Sequence, residues 1–156
     1  MAGGIMKKTW LVILFMALAG CGSGPPKRIY PPKASVQELL AGTTGQWTLK
    51  IRLENFSTVP MTFSAVDAKL TMAGQEAGRV FAPTTLTIGP ESADVITVTM
   101  APATPGKIAV ANALALKRTV RYELIGKITS RELKRDFDFK FESALSPVPG
   151  LDGMLR

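Results

Sequence analysis

Histidine is absent from this 156-residue chain, and cysteine occurs once, at Cys21. Without histidine the chain lacks the commonest general base and the commonest metal ligand, which excludes serine–histidine, cysteine–histidine and histidine–zinc sites. A single cysteine excludes an internal disulfide, so a folded domain must be stabilised by packing. We therefore predict no catalytic residues, no metal site and no non-covalent cofactor.

Charge and hydropathy are those of a basic, folded protein. The sequence has 19 Lys and Arg against 12 Asp and Glu, and 46% of its residues are hydrophobic. That apolar fraction is too high for a chain that stays disordered. The length is that of one ordinary domain with short flanking segments.

The first residues have the three parts of an export signal. Lys7 and Lys8 form a basic patch, residues 10–18 are apolar, and the small residues Ala19 and Gly20 follow. The apolar stretch is well short of the roughly 20 residues that a membrane-spanning helix needs. We therefore predict a cleaved signal peptide over residues 1–20.

The run Leu18-Ala19-Gly20-Cys21 resembles the lipobox of bacterial lipoproteins. In that family the cysteine thiol receives a diacylglycerol, the chain is cut just before it, and the new amino terminus is acylated. The resemblance implies lipid attachment at Cys21, with durable anchoring because several acyl chains act together. An ordinary signal followed by an accidental cysteine is the alternative.

The residues after the cysteine bear on location. Gly22 and Ser23 stand where an aspartate would favour retention in the inner membrane of Gram-negative bacteria. By the same resemblance we predict a cell-envelope lipoprotein on the inner leaflet of the outer membrane, facing the periplasm. Either Met1 or Met6 is the initiator, and the lipobox is the same in both cases.

Proline and glycine mark both flanks of the folded part. Residues 21–34 contain Gly24-Pro25-Pro26 and Pro31-Pro32, which is typical of an extended tether. Residues 146–156 begin with Ser146-Pro147-Val148-Pro149-Gly150, which cannot continue a central strand and predicts an extended tail. The domain is thus expected over residues 35–145.

The central region alternates apolar and polar residues. The alternation is strict over residues 47–54, which predicts a half-buried strand. Residues 36–40 are compatible with a helical turn or a first strand. Further strand patterns cover residues 61–72, 77–81, 83–88, 93–100, 120–128 and 133–141.

One helix is expected among these strands. Residues 107–117 are rich in the helix formers Ala and Leu, and Ile108, Ala111 and Ala115 share a face. About seven short strands and one short helix predict an all-β antiparallel sandwich of the immunoglobulin or fibronectin III type, with one solvated and one buried face on each sheet.

Three segments together point to a known family. Asn55-Phe56-Ser57-Thr58-Val59-Pro60 follows an alternating strand, residues 70–78 combine a strand, a glycine turn and an Ala-Gly pair, and residues 122–128 precede a strand with alternating Phe. In this order they resemble the late embryogenesis abundant (LEA) type 2 proteins, whose domain is also called the water stress and hypersensitive response domain. The resemblance covers residues 36–143. It implies an immunoglobulin-like sandwich without an established catalytic site, associated with desiccation and other stress.

Two carboxylates, Asp136 and Asp138, lie on one face of a predicted strand, where such a pair could bind calcium or divide acid and base roles. Lys134 and Lys140 alternate with them, which favours a solvated row of opposite charges. The methionines at 61, 72 and 100 are expected to fill the core rather than bind metal.

Basic residues gather toward the end of the sequence. They fit an anionic surface such as anionic lipid or lipopolysaccharide, or else form an ordinary solvated face. Nucleic-acid binding would need exposed aromatic residues beside them, whereas Phe137, Phe139 and Phe141 alternate with the charges and are expected in the core. The residues predicted for anionic contact are Arg118, Arg121, Lys127, Arg131, Lys134 and Arg135.

These observations favour a non-enzymatic, membrane-anchored lipoprotein that protects against desiccation or osmotic stress or supports envelope integrity. One alternative is a module that binds a lipid or hydrophobic ligand between its sheets or at one end. Another is a structural adaptor in an envelope protein complex. The expected partners are the membrane, anionic lipid or envelope proteins, and not nucleic acid.

Overall fold

The computed structural model describes Gly24 and residues 26–156. The predicted signal peptide and lipobox, including Cys21, lie outside the described residues. The elements within the described residues are β1 (Lys33–Ala41), β2 (Trp47–Asn55), β3 (Met61–Met72), β4 (Gln75–Ile88), β5 (Ser92–Met100), α1 (Thr104–Ala115), β6 (Val120–Ser130), β7 (Arg135–Leu145) and β8 (Met154–Leu155).

The strands form two four-stranded antiparallel sheets around one hydrophobic core. The first sheet has the order β5-β2-β1-β8, and the second has the order β4-β3-β6-β7. The chain crosses from the second sheet to the first between β4 and β5. The predicted all-β sandwich is confirmed, with eight strands where about seven were expected.

Strict alternation places one face of β2 in the core. Trp47, Leu49, Ile51 and Leu53 are all at most 1% exposed. They point inward together because successive side chains of a strand alternate between its two faces. The three methionines expected in the core are also buried, at 7% exposure or less.

Two segments turn out to be longer strands than the sequence indicated. Residues 36–40, which were compatible with helix or strand, lie within β1. The separate strands predicted at 77–81 and 83–88 are a single strand, β4, which continues through Pro83. This is possible because β4 is an edge strand, so a residue without an N–H need not break the ladder to β3. Gly78, at φ 127°, lies where the register with β3 is irregular, as a bulge requires.

The helix is shifted from its predicted position. It spans Thr104–Ala115 with a proline in its first turn, where the missing N–H would have no helical partner anyway. No helix in the described part of the chain is long and apolar enough to cross a membrane. The predicted apolar face is wrong: the residues expected to share it are all exposed, namely Ile108, Ala111 and Ala115.

Small residues explain which helix face is buried. The helix buries Gly106, Val110 and Ala113. A Cβ atom built on Gly106 would lie only 2.4 Å from the Cα of Ala77 in β4. The helix and strand backbones therefore approach closely at a glycine–alanine contact, which turns Ile108 outward, where it is 55% exposed.

The last residues do not form the predicted extended tail. Ser146 and Arg156 exchange two backbone hydrogen bonds of 2.7 and 2.8 Å, so the chain folds back on itself. Strand β8 then pairs with Leu39 and Leu40 of β1. Leu155 is completely buried. The prediction failed because both the free edge of β1 and the apolar site for Leu155 exist only in the assembled sandwich.

A buried tyrosine connects the two sheets. The Tyr122 hydroxyl in β6 lies 3.1 Å from both the backbone N and the backbone O of Val36 in β1, accepting from the first and donating to the second. The β1 register shifts between Val36 and Glu38, so this hydroxyl supports the backbone at an irregularity. Burial raises the pKa of Tyr122, although the hydrogen bonds from Val36 and Ser143 oppose that effect.

Candidate functional site

The two ends of the sandwich differ in composition and in how they are closed. The main strands are 9 to 14 residues long, so the ends are about 30 Å apart at roughly 3.3 Å per residue. The amino end consists of residues 26–33, 56–60, 89–91 and 131–135. The helix end consists of residues 42–46, 73–74, 101–119 and 146–153.

A buried asparagine organises the amino end. The Asn55 side chain is 1% exposed. Its amide nitrogen donates to the carbonyl oxygens of Val59, Ile88 and Gly89 at 2.9, 3.1 and 2.9 Å, and its oxygen accepts from the Ser57 N–H at 3.0 Å. One side chain thus joins the β2–β3 loop to the end of β4, and each buried polar group that it meets has a partner.

The amino-terminal segment is attached to this network. The Arg28 N–H donates to the Thr58 hydroxyl at 2.8 Å, and the Thr58 N–H donates to the Arg28 carbonyl at 3.0 Å. The Tyr30 N–H donates to the Ser57 hydroxyl at 2.9 Å. The part of the predicted tether from residue 26 onward is therefore held against the domain, and β1 begins at Lys33, inside the range assigned to the tether.

The β6–β7 loop is attached to the same end. The Arg131 N–H donates to the Thr62 carbonyl, and the Thr62 N–H donates to the Glu132 carboxylate, both at 2.9 Å. Burial raises the pKa of Glu132, but hydrogen bonds from Thr62 outweigh it and the pKa is lowered overall. Glu132 is therefore held as a carboxylate that positions the loop.

The six basic residues predicted for anionic contact do not form one cluster. Arg131, Lys134 and Arg135 lie together at the amino end. Arg118 and Arg121 lie at or beside the helix end, where β6 begins. Lys127 lies between these groups, on the exposed face of β6 opposite Asp138 of β7. The structure thus divides the predicted set between the two ends.

Three further basic residues join the amino end. Lys27 and Arg28 come from the segment before β1, and Lys33 is the first residue of β1. The Lys33 ammonium lies 5.6 Å from the ring centre of Phe56, a cation–π distance. The amino end as a whole has six basic side chains against Glu91 and Glu132. Sequence reasoning missed these three because residues 21–34 were treated only as a tether, although Lys27-Arg28-Ile29-Tyr30 is itself a basic and apolar run.

The amino end also exposes apolar side chains. Ile29, Tyr30, Phe56 and Leu133 are 47, 44, 41 and 38% exposed. They come from three separate segments of the chain that the hydrogen bonds around Ser57, Thr58 and Thr62 hold at one end. Large exposed apolar residues grouped beside charges are typical of interaction surfaces.

The outer face of the β4-β3-β6-β7 sheet has a different character. Basic and acidic residues alternate across it, with five of the former and six of the latter in its strands outside the amino end. Lys140 pairs with Glu123 at 2.7 Å and with Glu142 at 2.6 Å, and the hydrogen bonds that its ammonium donates to both carboxylates raise the lysine pKa. This face is electrically balanced.

The carboxylates considered for calcium belong to that face. Asp136 accepts a hydrogen bond from the Thr129 hydroxyl at 2.8 Å, and Asp138 is in register with Lys127. Residues 26–156 and Gly24 contain no group of three or more acidic, histidine or cysteine side chains arranged to hold a metal ion. Phe137 and Phe139, which alternate with these carboxylates, are buried as predicted, whereas Phe141 is only partly buried against the core.

An apolar depression lies at the helix end. It has a volume of about 550 Å³ and is lined by Leu114, Lys117 and residues 147–153. Leu151 at its rim is 51% exposed. The space between the sheets is occupied by the buried side chains of the core, so a ligand would have to bind in a surface depression such as this one.

No protein-family model and no curated protein matches the sequence significantly. Solved structures do resemble the fold. The solution structure of At1g01470 from Arabidopsis thaliana superposes with a TM-score of 0.57 at 14% identity, covering 81% of this chain and 87% of that one.

Two further structures show a weaker likeness. The solution structure of a putative late embryogenesis abundant (LEA) protein, At2g46140.1, has a TM-score of 0.45 at 15% identity over 92% of this chain and 87% of that one. A protein from Archaeoglobus fulgidus has a TM-score of 0.44 at 15% identity over 78% of this chain and 98% of that one. The neighbours thus include a putative LEA protein, and the likeness to At1g01470, which concerns the fold alone, agrees with the predicted sandwich.

Proposed function

We propose that this chain is a membrane-anchored, periplasm-facing lipoprotein whose LEA-like sandwich protects the cell envelope during desiccation or osmotic stress. The observation that carries the anchoring is Leu18-Ala19-Gly20-Cys21 at the end of a short apolar stretch that follows Lys7 and Lys8. The stress role rests on the resemblance to LEA type 2 proteins, which implies a β-sandwich fold, and the two four-stranded antiparallel sheets agree with that fold.

The proposal assigns no catalytic residue. The chain has no histidine, and its one cysteine is committed to lipid. Carboxylates on the outer face of the second sheet pair with lysine, arginine or hydroxyl groups. The domain therefore acts through its surface and through its position at the membrane.

Mass spectrometry and flotation test the anchor. The mature wild-type protein should begin at Cys21, carry the mass of the acyl chains, and float with membranes. The Cys21→Ser variant should be neither lipidated nor processed at that site. Gly24→Ala is the matched control, because a Cβ there meets no atom within 4 Å, and it should behave as wild type. An unmodified amino terminus in the wild-type protein would contradict the proposal.

Survival measurements test the stress role. A strain lacking the protein should recover less well after drying or osmotic shock than its parent. Wild type and Gly24→Ala should restore recovery, and Cys21→Ser should not. Recovery equal to the parent's in the deletion strain, under both treatments, would remove the support for a protective role.

The depression beside α1 favours a second candidate function, the binding of an apolar ligand. Leu114, Val148 and Leu151 contribute apolar surface to its wall. Native mass spectrometry of protein purified without added lipid should then show a bound small molecule, which Leu114→Ser would release. A protein that carries nothing in that experiment would count against this candidate.

Exposed apolar residues on and beside α1 support the adaptor alternative. Ile108 and Leu116 are 55 and 61% exposed. If that face binds an envelope protein, crosslinking through residue 108 in intact cells should capture one constant partner, and crosslinking through residue 97 on the outer face of β5 should not.

A further inference from the structure

The amino end is the most strongly basic part of the described surface. Its six basic residues are Lys27, Arg28, Lys33, Arg131, Lys134 and Arg135, and its acidic residues are Glu91 and Glu132. Glu132 is already engaged by the Thr62 N–H. The balanced outer face of the β4-β3-β6-β7 sheet offers no comparable field, so an anionic surface would be attracted to the amino end first.

The same end carries side chains suited to the boundary between water and lipid. Tyr30 and Phe56 are aromatic and more than two-fifths exposed, and Ile29 and Leu133 are exposed beside them. Aromatic rings are enriched at membrane–water interfaces, and Lys and Arg can lie over apolar surface while their charges stay in the headgroup layer. Positive charge together with exposed rings matches an anionic phospholipid surface better than it matches nucleic acid, which would require stacking along an extended groove.

The path of the chain brings this end to the membrane. The segment enters beside Thr58, where Pro26 and Arg28 are hydrogen-bonded, and only the residues from 21 to 26 separate it from the predicted lipid. Five residues span at most about 17 Å when fully extended. A linker of that length keeps the amino end at a high effective concentration at the bilayer, so even a weak surface contact is populated.

We propose that the amino end docks on anionic phospholipid headgroups, so that the sandwich stands with its amino end on the bilayer and its helix end facing away. This inference rests on the proposed lipidation of Cys21. Arg131, Lys134 and Arg135 share the contact with Lys27, Arg28 and Lys33, whereas Arg118 and Arg121, about 30 Å away along the strands, do not take part. The helix end is then free for a protein or ligand on the side away from the membrane.

Because the chain has a single cysteine, a cysteine introduced elsewhere can be labelled specifically. In the lipidated protein the Cys21 thiol is blocked, so a cysteine introduced by Leu133→Cys or Leu151→Cys is the only reactive thiol. Each variant is labelled with an environment-sensitive fluorophore and placed in phosphatidylcholine vesicles with or without phosphatidylglycerol. Brominated lipids then report which label approaches the bilayer.

We expect quenching at position 133 to exceed that at position 151 by about threefold or more in anionic vesicles, and to fall when phosphatidylglycerol is omitted or salt is raised to about 1 M, where the Debye length is near 3 Å. Arg131→Glu with Lys134→Glu should remove most of the difference. Lys117→Glu with Arg118→Glu, at the helix end, is the matched control and should leave it unchanged.

The outcomes separate this inference from the proposed function. Protein that floats with all vesicles but shows equal quenching at both positions would overturn the docking orientation and leave the anchor intact. Protein that fails to float, with an unmodified amino terminus, would overturn the anchor. Quenching that is larger at position 133 but insensitive to lipid charge and salt would contradict the electrostatic contact. It would show that the short linker to the lipid orients the domain by itself.

Discussion

The amino end and the helix end of this sandwich are closed by different kinds of interaction. At the amino end, Asn55, Ser57 and Thr58 connect three segments through hydrogen bonds to backbone groups. At the helix end, Val110, Ala113 and Leu155 close the sandwich by burying apolar side chains. The polar closure leaves large apolar residues free to face outward beside positive charges, which is the combination that the proposed docking on phospholipid requires.

The largest effect should come from the apolar closure. Leu155→Ala removes a completely buried side chain and should lower the free energy of unfolding by about 3 kcal/mol, because a cavity adds to the lost burial. Denaturant unfolding measures this. The control is Leu151→Ala at the same end, which is 51% exposed and should change stability by less than about 0.5 kcal/mol. Equal losses in the two variants would mean that β8 is not part of the stable fold.

Substitution in the polar closure should lower stability nearly as much. Asn55→Ala removes the partner of one N–H and three carbonyl groups near the β2–β3 loop, and unsatisfied buried groups should lower the free energy of unfolding by about 2 kcal/mol. Hydrogen exchange should also increase at residues 28–30, which depend on Ser57 and Thr58. Asn112→Ala, an exposed asparagine of α1, is the control and should have little effect. A stable Asn55→Ala protein with unchanged exchange would show that the loop is held in another way.

Between the two ends, the Tyr122 hydroxyl should contribute less. Tyr122→Phe keeps the ring but deprives the Val36 backbone of its partner, which should lower the free energy of unfolding by about 1 kcal/mol. Thermal or denaturant unfolding at neutral pH measures the loss. Tyr30→Phe, whose ring is 44% exposed, is the matched control, and a comparable loss there would refute a special role for the buried hydroxyl.

Tyr122→Phe should also change how the free energy of unfolding depends on pH above pH 10. The folded-state pKa of Tyr122 is raised above 10.0, chiefly by burial. The unfolded chain therefore loses the proton first, and the stability due to this tyrosine is fully present below pH 10 and is lost as the pH rises through the raised value. The gap in stability between wild type and Tyr122→Phe should narrow above pH 10. A gap that stays constant would contradict the assignment.

The smallest effect should be found on the outer sheet face. Hydrogen bonding from Arg79, at 2.6 and 2.5 Å, lowers the pKa of Asp67 below 3.8. Its contribution is therefore present above pH 3.8 and is lost as the pH falls through the lowered value. Asp67→Asn should reduce the thermal midpoint slightly at neutral pH and not at all in strong acid, since exposed pairs contribute little. Asp152→Asn at the helix end, where the side chain is exposed, is the control and should leave the thermal midpoint at neutral pH unchanged.

Local patterns explain why most strands were predictable. The alternation in residues 47–54 reflects side chains that point to opposite faces of one strand. It does not depend on which elements pack against that strand. The prediction of the buried helix face was wrong because the helix packs through Gly106 against Ala77. Composition does not reveal which small residues will be in contact. Residues 77–81 and 83–88 were separated because Pro83 normally ends a strand, and only its place at a sheet edge allows β4 to continue.

The candidate site was predictable in part. The sequence identifies Arg131, Lys134 and Arg135, but it groups Arg118 and Arg121 with them because all five are near in sequence. In the structure Arg118 and Arg121 lie at the start of β6, and the other three follow its end. Lys27, Arg28 and Lys33 were missed because hydrogen bonds from a loop 30 residues away hold their segment in place. Such contacts leave no periodic signal in the chain.

Residue types and short spacings are enough to predict the sandwich class, the inward faces of the central strands, the absence of histidine chemistry and a lipid site at Cys21. They do not predict which helix face is buried, where the carboxy-terminal strand pairs, or which basic residues lie at the same end of the sandwich. Those features depend on which segments meet in space, and for Leu155, Asn55 and Arg28 the partners are distant in the chain. The basic, apolar amino end begins at residue 26, five residues after Cys21 in the sequence.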